Sequence, residues 1–245
     1  MKKLTPLFIA LLMLGACKKT TIAPVTTPVK FTSTSYATLG TYDATGKPSY
    51  LTTKDVVSTN LMSYLSNTLP EHTDLRNSHP ELLSSSASAD IKITQKSNVA
   101  ITFVSQGTGI SDALGFYTYP TNSPPASAAD IKTITYIFPS VGLNSPLQPG
   151  DKVNIGSFDA GTSIGFVLMQ NGWSPTSKSV VNDAVHFCSN PVLNPEVDPN
   201  LKKHAVLINY TPENKVLIGF EDLDRTDSRC DNDFNDVVVY ATVTQ

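Results

Sequence analysis

Seven of the 21 carboxylates in the chain lie between residues 221 and 236, directly before a C-terminal run of strand-forming residues. Like charges at this density repel one another, so a fold keeps them together only where they stay solvated or where a cation lies among them. Carboxylate and amide oxygens are the ligands that calcium prefers in proteins. The segment therefore predicts a calcium site. The six predicted ligands are Glu221, Asp222, Asp231, Asp233, Asn235 and Asp236.

The spacing of these residues differs from that of an EF-hand loop. Counted from Asp231, the sixth position is Asp236 where an EF-hand has glycine, and Thr242 stands where the bidentate glutamate belongs. A hairpin accounts for the spacing better, because pairing of a strand that ends at Glu221 with one that begins at Asp236 would bring their carboxylates together. Phe234 would then fill the core and hold the loop. The alternative is a solvated acidic turn whose Asp and Asn side chains bind backbone amides.

The first 16 residues are typical of a bacterial signal peptide. A basic start at Lys2 and Lys3 precedes an apolar run, 7–14, that is too short to cross a bilayer. The sequence LGAC at 14–17 resembles a lipobox, which implies cleavage before Cys17 and attachment of acyl chains such as palmitate to that cysteine. An ordinary secretory signal followed by an unrelated cysteine is the alternative.

Residues 17–34 predict a flexible tether between the lipidated cysteine and the folded domain, because they are rich in Thr, Pro and Lys and have no apolar periodicity. Lysines rather than an aspartate follow Cys17. This resembles lipoproteins that are sorted to the outer membrane, and it leaves open which leaflet holds the anchor. The expected membrane attachment is therefore the lipid on Cys17.

Charge and cysteine content limit the partners and the chemistry. A formal net charge of −3 without a basic stripe argues against nucleic acid as a partner. Besides Cys17, the chain contains Cys188 and Cys230, which an oxidising compartment would allow to pair. A bridge would close a loop of about 40 residues and contribute roughly 3–4 kcal/mol. Two unpaired thiols are equally compatible with the sequence, and no Cys/His cluster favours zinc.

One helix and ten strands follow from the spacing of apolar residues. Apolar side chains recur at helical spacing over residues 54–68, and Pro70 ends the run. Beyond about residue 90, short runs rich in Val, Ile, Phe, Tyr and Thr alternate with turn-forming clusters. The predicted strands are 90–94, 98–105, 113–119, 132–138, 152–158, 163–170, 183–188, 203–210, 215–220 and 236–243. Their number and length predict an all-β fold, an antiparallel β-sandwich or jelly roll, as a single domain over residues 35–245.

Several segments of this domain match a known family in the expected order. They are ITFVSQGTGISDALGFYTYP at 101–120, GDKVNIGSFDAGTSIGFVLMQNGW at 150–173, GFEDLDR at 219–225 and DNDFNDVVVY at 231–240. On these segments, the stretch from Tyr42 to Val243 resembles the LruC-like bacterial lipoproteins, which are built on a domain of unknown function numbered 4114. The resemblance implies a secreted or lipid-anchored β-sandwich with a calcium site in its terminal acidic motif.

Two departures limit what the resemblance implies. Cys230 stands in the acidic loop, where the family's pattern has no cysteine. Longer relatives also carry a second domain after the acidic motif, and any function of that domain is not carried over to this chain.

Together these observations favour a non-catalytic, calcium-stabilised module of a cell-envelope lipoprotein that binds a glycan or another surface protein. The alternatives are a calcium-dependent carbohydrate hydrolase and a purely structural envelope protein. A hydrolase would need two carboxylates about 5–9.5 Å apart, and Glu196 is one candidate. The sequence GTSIG at 161–165 fits the G-x-S-x-G pattern, but the residues after Ser163 predict a strand where a nucleophile elbow requires a helix.

Exposed aromatic side chains would be one way to bind a glycan. Phe116, Tyr117, Tyr119 and Trp173 could form a platform on which sugar rings stack, or they could pack in the core. The sequence favours core packing but does not decide which face of each strand is wet.

Overall fold

Two β-sheets form the framework of the part of the chain that the computed structural model describes, residues 27–245. The strands are β1 Ser35–Thr38, β2 Ile91–Lys92, β3 Ser97–Gln106, β4 Ala113–Pro120, β5 Thr133–Phe138, β6 Lys152–Phe158, β7 Thr162–Gln170, β8 Trp173–Ser174, β9 Ser179–Val180, β10 Val185–Cys188, β11 Ala205–Tyr210, β12 Lys215–Phe220 and β13 Val237–Thr244. The helices are α1 Thr59–Thr68 and α2 Leu75–Ser78. Short 3-10 turns occur at Pro80–Leu83, Ala128–Asp130, Pro191–Leu193 and Thr211–Glu213.

The strands pair almost entirely antiparallel. The first sheet has the order β1-β5-β4-β7-β10, with β2 also paired to β7, and the second has the order β11-β12-β13-β3-β6. The parallel pairing of β1 with β5 is the exception, and β8 and β9 form a separate two-stranded ribbon. The all-β, sandwich-like fold predicted from the sequence is confirmed.

Apolar side chains from both sheets meet in one core. Phe103 of β3 and Phe138 of β5, for example, lie edge to face with ring centroids 6.4 Å apart. Strand β13 contributes to two cores, because its successive side chains point to opposite faces of the second sheet. Val237, Val239 and Ala241 point into the core between the sheets, whereas Val238 and Tyr240 point into a second core on the opposite face of the sheet.

Helix α1 covers this second core. Ser58 caps its start, because its side chain accepts a hydrogen bond from the Leu61 amide at 3.0 Å. Leu61 and Leu65 are buried against the second sheet. The predicted helix, 54–68, therefore exists but begins later, since the residues before Ser58 run alongside the sandwich and the Asp55 amide binds the Gly150 carbonyl instead of a helical partner.

All ten predicted strands are present, with ends displaced by at most two residues. The structure adds β1, β8 and β9, which the sequence pattern did not predict. Each of the three is only two to four residues long, too short for a period-two pattern to emerge.

The last residues of the predicted tether contact the sandwich. Phe31 is buried and stacks on the His186 ring with centroids 4.4 Å apart, and the Thr34 hydroxyl donates to the Ile131 carbonyl at 2.7 Å. The folded part thus includes residues that the sequence assigned to the tether. Cys17, the signal peptide 1–16 and residues 18–26 of the tether lie outside the described residues. Within residues 27–245, no helix is long and apolar enough to cross a membrane.

The disulfide that the sequence left open is not formed. Cys188 is fully buried at the end of β10 among apolar side chains of the first sheet, and Cys230 lies in the acidic loop. Both are free thiols, and burial raises the pKa of each above its usual value. Neither therefore carries a thiolate at neutral pH.

Phe234 anchors the acidic loop in the second core, as the sequence predicts. Its side chain is fully buried beside α1, and its backbone adopts a left-handed conformation with φ of 58°. A bulky residue rarely adopts that conformation, so the packing of the ring has to hold it there.

Truncating this ring should destabilise the protein strongly. We expect Phe234→Ala to lower the free energy of unfolding by roughly 3–5 kcal/mol, because it leaves a cavity in a closed core. Phe234→Leu should lose less, since it keeps most of the apolar volume. Urea unfolding measures both. A loss below about 1 kcal/mol in Phe234→Ala would show that the loop does not depend on this anchor.

The buried His186 should make stability fall in acid. Its Nε2 lies 2.8 Å from the Tyr36 hydroxyl and its Nδ1 lies 2.7 Å from the Ala184 carbonyl, so Nδ1 carries the proton and Nε2 accepts. Burial lowers the pKa of His186 from 6.5 to about 4. Between these values the unfolded chain takes up a proton that the folded chain does not, so stability decreases as pH falls.

Comparison with His186→Gln isolates this contribution. From pH 7 to pH 4.5 the parent protein should lose about 2 kcal/mol more unfolding free energy than the variant, which has no imidazole to protonate. Urea unfolding at both pH values is the measurement. Parallel losses in the two proteins would contradict the assignment.

Candidate metal centre

The hairpin of β12 and β13 brings three acidic side chains together. Phe220 pairs with Val237 at the end of the ladder that the loop 221–236 connects, so the residues just beyond, Glu221, Asp222 and Asp236, lie side by side. One carboxylate oxygen from each lies within 4.8 Å of the others. The hairpin geometry predicted from the sequence is therefore present.

These three side chains are held by hydrogen bonds and are largely shielded from water. Glu221 and Asp222 are only 1% and 2% exposed. The Asp222 amide donates to Oδ2 of Asp236 at 2.8 Å, and the Thr108 hydroxyl donates to Oδ2 of Asp222. The solvated acidic turn, which was the alternative for this part of the loop, is incompatible with such burial.

A fourth carboxylate, Asp112, joins them from the first sheet. It precedes β4, it is fully buried, and its Oδ1 accepts from the Asn171 amide at 3.1 Å. Burial first, and then the neighbouring charge of Asp222, raise the pKa of Asp112 well above its usual value. Sequence reasoning missed this residue. We call Asp112, Glu221, Asp222 and Asp236 the buried carboxylate cluster.

No basic side chain of the described residues forms an ion pair with the buried carboxylate cluster, although the buried Arg225 is near enough for its charge to interact with that of Glu221. Among residues 27–245, no Lys, Arg or His nitrogen lies within 4.0 Å of any of its carboxylates. Burial, followed by the charges of Asp222 and Glu221, raises the pKa of Asp236 to about 10. Burial also raises the pKa of Glu221 to about 7, although the Cys230 thiol beside it acts in the opposite direction. Without a cation, the cluster therefore retains protons at neutral pH.

Two oxygens of the cluster have no hydrogen-bond partner. Oδ2 of Asp112 and Oε2 of Glu221 are both buried and unpaired. Native proteins rarely leave buried polar atoms in this state, and an ion is one of the recognised explanations. The donors are carboxylate oxygens, with the Thr108 hydroxyl next to them. Such a set fits a hard divalent cation that takes six to eight oxygen ligands, as calcium does.

The remaining predicted ligands belong to a second, exposed group, which we call the surface cluster: Glu71, His72, Asp231 and Asp233. Here a histidine already partners the acids. His72 Nδ1 lies 2.8 Å from Asp231 and 3.5 Å from Glu71, and its backbone amide donates to Asp233 at 2.8 Å. The hydrogen bond with Asp231 raises the pKa of His72. A single side chain of the protein, His72, thus offsets part of the negative charge of the three carboxylates in the surface cluster.

Asn235 lies outside the buried carboxylate cluster. Its Nδ2 donates to the Leu69 carbonyl at 3.4 Å, and its Oδ1 faces Gly107, where a Cβ atom would come within 2.9 Å of it. The structure divides the six predicted ligands. Glu221, Asp222 and Asp236 lie in one group, Asp231 and Asp233 lie in the neighbouring surface cluster, and Asn235 lies in neither. The charges of Asp231 and Asp233 nevertheless reach Glu221 and help to raise its pKa.

The other acids of the loop shape its turns. Asp224 accepts from the amide and hydroxyl of Thr226, and Asp227 pairs with Arg229 at 2.7 Å. Arg225 lies over the Phe234 ring, 5.2 Å from its centroid. These residues form the self-bonded acidic turn that the sequence offered as an alternative to a metal site.

A buried pair of side chains, His204 and Glu196, holds the backbone of Glu221. His204 Nδ1 donates to the Glu221 carbonyl at 3.0 Å, and its Nε2 lies 2.6 Å from Oε1 of Glu196. Both side chains are fully buried, and Phe187 stacks on the imidazole at 4.0 Å. Glu196, the candidate acid of a hydrolase, is therefore enclosed and bonded rather than presented to a substrate.

The other candidate groups are also buried. Ser163 is fully buried and bonds to the Thr121 hydroxyl at 2.9 Å. Phe116, Tyr117 and Trp173 are each at most 7% exposed, and Tyr119 is half-buried with its hydroxyl donating to Oδ2 of Asp90. The four rings therefore do not present open faces together as a platform for sugars.

Comparison with known proteins supports the domain and no finer assignment. Residues 158–244 match the family described as a domain of unknown function (DUF4114). No curated protein and no solved structure matches the chain. The match includes all six predicted ligands but neither Thr108 nor Asp112. Over residues 158–244, the chain is therefore similar to a domain whose function is undefined.

Proposed function

We propose that the buried carboxylate cluster binds calcium and that the chain is a non-catalytic, calcium-stabilised module of an LruC-like lipoprotein of the cell envelope. The observation that carries this proposal is the pair of unpartnered, buried oxygens on Asp112 and Glu221 in a cluster with which no basic side chain of the described residues forms an ion pair. A bound divalent cation would satisfy both oxygens and remove the repulsion.

Calcium fits better than other metals. The site offers oxygen donors only, with carboxylates next to strands of two different sheets; Asp112, Glu221 and Asp222 are buried, and Asp236 is half-buried. Magnesium dehydrates reluctantly and usually keeps several waters, so a largely buried site suits it less. Zinc prefers nitrogen and sulfur ligands. The Cys230 thiol beside Glu221 has a raised pKa and stays protonated, so it is a poor zinc ligand.

The position of the cluster suggests what the ion does. Asp112 belongs to the first sheet, and Glu221, Asp222 and Asp236 belong to the ends of the central hairpin of the second sheet. An ion held by both would fasten the two sheets together at one end of the sandwich and order the loops there. In this proposal the ordered loops present a surface to a glycan or to another envelope protein.

The proposed location is the outer membrane, reached through acyl chains on Cys17. The lipobox sequence at 14–17 supports it. The leaflet that holds the anchor is left open by this proposal.

Calcium should raise the melting temperature, and this gain should depend on the buried carboxylate cluster. At a calcium concentration ten times the dissociation constant, binding contributes about 1.4 kcal/mol. In Asp236→Asn the gain should disappear, because one anionic ligand is lost. In EDTA the variant should be at least as stable as the parent, since a neutral amide replaces a carboxyl that its surroundings make hard to ionise. Circular dichroism melts in EDTA and in millimolar calcium measure both effects.

Asp231→Asn in the surface cluster is the matched control. It also converts an aspartate of the same loop to the amide, and it should keep the full calcium gain. If Asp231→Asn abolished the gain while Asp236→Asn kept it, the ion would lie in the surface cluster. A parent protein whose melting ignores calcium up to several millimolar would refute the proposal.

Cys17 should be required for membrane attachment. When the full chain is expressed in a bacterium that processes lipoproteins, the parent should incorporate labelled palmitate and fractionate with membranes. Cys17→Ser should lose both properties, whereas Cys230→Ser should retain them. Label incorporation into Cys17→Ser would contradict the anchor assignment.

A further inference from the structure

A cavity of about 600 Å³ opens on the side of the sandwich, away from the buried carboxylate cluster. We call it the side pocket. Three parts of the chain line most of it. They are the turn Pro80–Leu83 together with the residues that follow this turn, Pro191, and the segment 198–203. Its volume is in the range of pockets that hold small organic ligands.

The wall of the side pocket is largely apolar. Leu83, Ala87, Ala89, Pro191 and Leu201 contribute to it, and no Trp, Tyr or Phe lines it. Two valines next to lining residues in the sequence, Val192 and Val197, are 57% and 72% exposed. Such a surface suits an aliphatic body better than a sugar, which needs an aromatic face or many hydrogen-bonding groups.

One charged group in this wall lacks a counter-ion. Lys203 is 6% exposed, and its Nζ donates to the Ser84 carbonyl at 3.3 Å. Within residues 27–245, no carboxylate lies within 4.0 Å of that nitrogen. An ammonium has three donors, so two remain available. A buried charge without a partner is unfavourable and creates a preference for an anion.

The other charged residues of the pocket are already engaged. Asp198 accepts from the backbone and side-chain nitrogens of Asn200 at 2.9 and 3.0 Å, and Arg76 pairs with Asp74 at 2.6 Å. Behind the wall, Arg225 donates to the Lys203 carbonyl at 3.0 Å and adds positive charge. Asp198 has no ion-pair partner among residues 27–245 either, but it is exposed to solvent, so the buried charge of the pocket that lacks a counter-ion is that of Lys203.

We infer that the side pocket binds a small amphipathic carboxylate, with its apolar body against Leu83 and Leu201 and its carboxylate paired with Lys203. A single ammonium balances one carboxylate, whereas a dianionic phosphate would leave an excess charge and would require more donors. Burial lowers the pKa of Lys203, and an anion beside it would act in the opposite direction. The inference is independent of the calcium proposal, because none of the cluster's carboxylates lines this pocket.

Titration with octanoate, observed by NMR and calorimetry on the full chain, tests the inference. We expect one saturable site, with affinity increasing roughly fourfold for each methylene from butanoate to octanoate. 1-Octanol and octylammonium should bind at least tenfold more weakly than octanoate, because they lack the anionic group. Parallel titrations in EDTA and in calcium separate this result from that of the metal proposal, since the expected binding is present in both.

Two variants and one control make the test specific. Lys203→Met keeps the length of the side chain and removes its charge, so octanoate affinity should fall at least tenfold. Ala87→Leu keeps the charge and fills the pocket, and it should also weaken binding. Lys202→Met is the control, because Lys202 donates to the Asn194 carbonyl at 2.9 Å and does not line the pocket. Its affinity should stay within twofold of the parent's.

Several outcomes would overturn the inference. They are the absence of saturable octanoate binding, equal affinity for 1-octanol, and unchanged affinity in Lys203→Met when melting shows that this variant is folded. If Lys203→Met fails to fold, Ala87→Leu decides, because unchanged binding in that variant would place the ligand elsewhere.

Discussion

The crowding of four carboxyl groups at the end of the central hairpin, which protonation or a bound cation would relieve, is the constraint on which the site depends. The ladder of β12 and β13 places Glu221, Asp222 and Asp236 beside one another, and packing of the two sheets adds Asp112. Each of these placements follows from strand pairing and core packing, which stabilise the sandwich irrespective of charge. The fold therefore brings acids together that would separate if free, and it excludes the water that would screen them.

The surroundings of the cluster hold this arrangement in place. Phe234 pins the loop into the second core, and the His204–Glu196 pair holds the Glu221 carbonyl. The surface cluster resolves the same electrostatic conflict differently, with His72 between its acids. The buried carboxylate cluster and the surface cluster thus differ in one respect. Among the described residues, the protein supplies a basic side chain, His72, within ion-pair distance of the surface cluster and none within that distance of the buried one. This difference, rather than the number of acids, distinguishes a metal site from a charged turn.

The sequence was sufficient for the strands and for the hairpin, because both depend on local patterns. Period-two alternation in β13 and the acidic residues on either side of its turn can be read directly from the chain. It was insufficient for Asp112, since a contact between the sheets has no local signature, and Thr108 beside it is 114 residues from Asp222. The quoted segment at 101–120 contains both residues, so their position in the loop between two predicted strands was the available signal. The sequence also could not predict that the six proposed ligands would separate into different groups. That separation depends on the direction of each side chain in an irregular loop.

The place of β13 has a consequence for how the chain can fold. This last strand is the middle of its sheet, between β12 and β3, and its partner residues in β3 begin at Asn98. A growing polypeptide cannot close that sheet until β13 has left the ribosome, and such long-range pairing is intrinsically slow. The contact order of the fold thus postpones closure of the second sheet until β13 has been synthesised. If the chain is exported, as proposed above, this delay would help to keep the polypeptide unfolded during translocation.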